Sequence, residues 1–186
     1  MRYDAEEKYQ SVLRAHGRLI SLASDLGKTA IIGDQAARDA ATAFFMECYH
    51  LKDWLKKDSR ITPAKAIEDW ISNSPALSRA ADLCNSFKHA GLDRPPRSGA
   101  QLDQVNMAYS LDISITEPGN VTFTRQPSPG DTLTLSRSRI TGRPIATAKI
   151  ILTIGGVKYD APELASRCVN DWDVFLASYG IQFARS

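Results

Sequence analysis

The stretch Met107-Ala108-Tyr109-Ser110-Leu111-Asp112-Ile113-Ser114-Ile115-Thr116 decides the fold. Its larger apolar residues alternate with small or polar ones, the two-residue period of a half-buried strand. Downstream, Pro118-Gly119 supplies a turn into Val121-Thr122-Phe123-Thr124, and Thr132 to Ser136 and Ile145 to Ile154 read as further strands. Gly155-Gly156 is a two-residue hairpin turn that returns the chain through Val157 and Tyr159. The expectation is an antiparallel β-meander of about five strands. Asp160 with Glu163 then forms a capping signal, and Leu164, Cys168, Trp172, Phe175, Leu176 and Tyr179 line one face of a last helix stopped by Gly180. That helix is expected to pack on the sheet.

Upstream the period changes. Tyr9, Val12, Leu13, Leu19, Ile20, Ala23 and Leu26 recur at helical spacing, and Gly27 ends that run. Asp34 is placed to cap a second helix with the stripe Ala37, Ala40, Ala41, Phe44, Cys48, Leu51 and Leu55. Thr62-Pro63 marks a third start, and Ser74-Pro75 a fourth, with Leu77, Ala80, Cys84 and Phe87 on one side before Gly91. The short connections suggest a four-helix bundle. Breakers and charge concentrate in Asp93-Arg94-Pro95-Pro96-Arg97-Ser98-Gly99. The sequence therefore predicts an α+β protein: a helical bundle over residues 1–92, a linker over 93–104, and a β-meander plus C-terminal helix over 105–186.

A chain of 186 residues with 43% hydrophobic and 24% charged residues can bury a core and lacks the signature of disorder. Lys and Arg number 23 against 21 Asp and Glu, so a net charge of +2 exerts no general pull on polyanions or anionic membranes. There is no long apolar run, and the N-terminus is acidic and polar, which reads as cytoplasmic with no membrane partner. Cys48, Cys84 and Cys168 each fall on an apolar helix stripe without ligand companions, so buried thiols are expected and neither a metal site nor a cofactor is. Gly27-Lys28-Thr29 resembles the end of a phosphate loop, but Leu22 stands where that motif needs its first glycine. The G-x-S-x-G, H-E-x-x-H and G-x-G-x-x-G signatures do not occur.

Arg137 and Arg139 share a strand face, with Arg143 in the adjoining loop, a cluster able to grip phosphates. The alternative is a solvated sheet edge kept from aggregating by charge. His16, on the first helix's apolar stripe, reads as a satisfied core histidine.

The polar residues that packing does not require sit on two helices. Glu47, His50 and Trp54 fall at i, i+3 and i+7, and Asp53 is close by; Asp82, Asn85 and His89 repeat that spacing on the fourth helix, with Lys88 near the centre of its apolar arc. If the edges face each other they form a cleft in which a histidine transfers protons and Lys88 or Asn85 stabilises negative charge. The competing reading is a structural network, with Glu47 or Asp53 neutralising Lys88.

The segments Tyr49-His50-Leu51-Lys52-Asp53-Trp54-Leu55 and Asp82-Leu83-Cys84-Asn85-Ser86-Phe87-Lys88-His89 resemble paired helix motifs of bacterial proteins and, more distantly, HEPN helical domains. Many HEPN domains are metal-independent ribonucleases of toxin and phage-defence systems. The resemblance covers roughly residues 34–91. It implies His89 as general acid or base, Asn85 as the polar residue preceding it, and Arg79 as a phosphate contact. Nine residues separate Arg79 from His89, against four to six in active HEPN domains. RNA and a second copy of the chain are the partners implied. Two functions follow as expectations: an RNA-directed defence or stress protein, or a non-catalytic protein-interaction module whose polar helix edges are a structural network.

Overall fold

The helical period of the first half becomes α1 (Ala5–Leu26), α2 (Asp34–Leu55), α3 (Lys65–Asn73) and α4 (Pro75–Lys88). The computed structural model describes residues 4–26, 34–88, 96–99, 106–116, 123–125, 143–154 and 156–184, with side chains described at 4–23, 35–87, 96–99, 150–154 and 156–184. Ser74 starts α4 by accepting the Leu77 amide on its hydroxyl at 2.9 Å, satisfying one of the free donors of the first turn. The third helix differs from expectation: its N-cap is Ala64, with no side-chain cap, so Thr62 does not perform that role.

The second half contains β1 (Asn106–Thr116), β2 (Phe123–Arg125), β3 (Arg143–Ile154), β4 (Val157–Asp160) and α5 (Ala161–Ser178). Among the described residues the expected five-strand meander is not seen. The described strands make a four-stranded antiparallel sheet in the order β2-β1-β3-β4, so β2 and β3 flank β1 on opposite sides. The two pairings of β1 differ in length. β3 matches β1 from Asn106↔Thr153 to Thr116↔Arg143, whereas β2 contributes only Leu111↔Arg125, Asp112↔Thr124 and Ile113↔Phe123. The expected strand over 132–136 lies outside the described residues. Ile154 pairs with Val157, which confirms the two-residue turn.

Asp160 caps α5 by accepting the Glu163 amide at 3.0 Å. Its far end closes as a Schellman motif, in which Ile181 N–H donates to the Leu176 carbonyl and Gly180 N–H to that of Ala177, with Gly180 at φ +66°. The helix does not lie on the sheet alone. It packs against α1, α2 and α4 as well as β3 and β4.

One apolar core results. Phe44, Phe45, Cys48 and Leu51 of α2 join Leu77 and Leu83 of α4, Ile150, Leu152 and Ile154 of β3, and Cys168, Trp172 and Phe175 of α5. The protein is thus mostly helical with a small sheet. No helix among the described residues is long and apolar enough to cross a membrane.

Candidate functional site

The polar residues of α2 and α4 were built into the fold in different ways. Glu47 accepts a hydrogen bond from the Lys8 ammonium of α1 at 2.6 Å. Burial pushes the Glu47 carboxyl up, but hydrogen bonds from Lys8 and Ser11 and the Lys8 charge outweigh it and hold the group below its ordinary value. Sequence reasoning missed Lys8, although its place between Ala5 and Tyr9 on the apolar arc of α1 was a usable signal: a cation there needs a buried anion. His50 is partly buried, and its Nε2 lies 3.8 Å from the Cys84 Sγ of α4. That contact joins the polar edge of α2 to a cysteine on the apolar stripe of α4.

Asp82 goes elsewhere. Its side chain is 2% exposed, and its carboxylate accepts the Arg97 and Ser98 amides, both at 2.8 Å, and the Ser98 hydroxyl at 2.6 Å. An acid on the polar edge of a helix is therefore the anchor of the 96–99 turn, which the sequence presents only as a run of breakers. Asn85 is partly buried beside Cys84, while Asp53 is exposed. His89, Arg137 and Arg139 lie outside the described residues, as does the side chain of Lys88. Arg143 is the first residue of β3, opposite Thr116, and not part of a loop.

Beside the Asp82 anchor, Glu68 of α3 gathers three cations. Lys52 lies at 3.2 Å and Arg97 at 2.6 Å, and Lys56 completes the set. Lys52 also stands 4.3 Å from the centre of the Tyr49 ring. Burial raises the Glu68 carboxyl, but hydrogen bonds from Lys56 and Arg97 and the charge of Lys52 dominate and bring its pKa to about 2. Glu68 and Arg97 were not singled out from the sequence, because the contact joins α3 to a turn 29 residues away.

All three cysteines are buried free thiols, as their stripe positions predict. His16 sits 3.0 Å from the Ser166 hydroxyl and against Phe44, a satisfied histidine at the α1–α5 contact. No group of His, Cys, Asp and Glu among the described residues has the arrangement of a metal site.

Arg79, one of the sequence candidates, borders a cavity. It projects from α4 into a groove of about 470 Å³ lined by α4, β4 and α5. Its guanidinium carbon stands 4.8 Å from the centre of the Tyr159 ring, and Nη1 donates to the Pro75 carbonyl at 2.6 Å. No family model matches the chain, and comparison with curated proteins and with solved structures finds no match.

Proposed function

We propose that the protein is a non-catalytic protein-interaction module in which the polar helix edges are a structural network. The observation that carries this reading is Asp82, a nearly fully buried carboxylate whose oxygens are occupied by two amides and a hydroxyl of the 96–99 turn. A catalytic acid or base needs access to a reacting atom, and a carboxylate filled by backbone donors is fixed as an acceptor. Glu47 is similarly committed to Lys8. These ties join α1 to α2 and α4 to the turn.

The test is incubation of the purified protein with RNA in chelator, alongside thermal melts of wild type, Asp82→Asn and His89→Ala. The expected result is no cleavage by any of the three and a lowered Tm for Asp82→Asn. RNA cleavage by wild type that disappears in a folded His89→Ala protein would overturn the reading in favour of an RNA-directed, HEPN-like enzyme.

A further inference from the structure

The groove beside Arg79 has features that helix packing does not require. Arg79 is only partly exposed, its Nε is buried without a hydrogen-bond partner, and its plane is backed by the Tyr159 ring. The hydrogen bond from Nη1 goes to a neutral carbonyl, and no carboxylate forms an ion pair with Arg79 among the described residues. An arginine held in place by an aromatic ring, with its charge unanswered, is pre-organised for a forked oxyanion. Pro75 and Ala76, the first residues of α4, border the same space.

The remaining lining narrows the ligand. Arg167 is tied to Glu163 within the rim, and the Asp171 carboxylate accepts the Ser74 hydroxyl, so two arginines and two carboxylates border the groove. A polyanion would meet Glu163 and Asp171 and gain no net field. A single carboxylate would pair with Arg79 alone. Leu164, Ala76 and Tyr159 provide apolar wall for whatever is attached to it.

We propose that this groove binds a ligand carrying one carboxylate next to an apolar group, a small organic acid or the C-terminal end of a peptide. Arg79 holds the carboxylate, and the apolar group lies along Tyr159 and Leu164. The site shares no residue with the Asp82 and Glu47 ties, so its failure leaves the reading of the polar edges untouched, and the reverse also holds.

The experiment is a two-dimensional NMR titration of the full chain with four probes: N-acetyl-leucine, N-acetyl-leucinamide, inorganic phosphate and a hexapeptide ending in leucine. Saturable shifts are expected around Arg79, Tyr159 and Leu164 with N-acetyl-leucine or the hexapeptide, the tighter of the two naming the source. The amide and phosphate should bind at least about tenfold more weakly. Arg79→Gln should weaken the carboxylate probe by a similar factor, with a spectrum that otherwise retains its dispersion. Absence of saturable shifts with both carboxylate probes would overturn the proposal. So would equal binding of the amide, or phosphate binding as tight as the carboxylate; these comparisons use wild type alone and hold even if Arg79→Gln fails to fold.

Discussion

At the scale of single residues, Asp82 and Glu68 are the two side chains whose removal is most informative. Asp82→Asn keeps the shape but turns one acceptor into a donor that faces either the Arg97 amide or the Ser98 amide, so two donors meet inside the fold. A loss of about 2–4 kcal/mol is expected, read from urea unfolding midpoints at constant slope. Glu68 gives a pH signature. Its folded pKa is lowered from the ordinary 4.5 to about 2. Its stabilisation is therefore fully present above the unfolded pKa and is lost as pH falls from there toward the folded value. Allowing for solvent screening, the effect amounts to about 1–2 kcal/mol. Melts from pH 6 down to about pH 2 should show this dependence in wild type and a flatter one in Glu68→Gln. In the sequence, helical spacing sets Glu47, His50 and Asp82 beside the apolar stripes of their helices. It did not assign their partners. Lys8 and Arg97 arrive from distant segments, and no local pattern carries that information.

At the scale of elements, caps and periods were the legible part. Ser74 and Asp160 cap the helices the sequence gives them, and Gly180 stops α5. A Cβ at Gly180 would meet no atom within 4 Å, so Gly180→Ala isolates the backbone cost of φ +66°. A destabilisation of about 1 kcal/mol is expected, measured by thermal melting. Strand order was the illegible part. Alternation identifies β1 as a strand but says nothing of which neighbours it will take, and the rule that consecutive strands pair holds for β1 with β2 and for β3 with β4 but not between β2 and β3.

At the scale of the whole molecule, the last helix is shared by both halves. Trp172 is fully buried, with Phe175 packed edge-on at 5.9 Å between ring centres. Trp172→Ala should cost about 3–5 kcal/mol and lower the midpoint of a single transition followed by both helix and aromatic signals. The sequence shows the apolar face of α5 clearly; what it cannot show is that one side of that face meets helices from the opposite end of the chain. Tyr9 of α1 donates to Asp173 and its ring packs against Phe183, while Trp70 donates to the Asp171 carbonyl at 3.1 Å. The ribosome makes α1 first and α5 after every other described helix and strand. During synthesis, α1, α2 and α4 wait with their apolar faces uncovered until Trp172 and Phe175 have left the exit tunnel. A nascent chain stalled before that point leaves the apolar faces of α1, α2 and α4 without the residues that cover them.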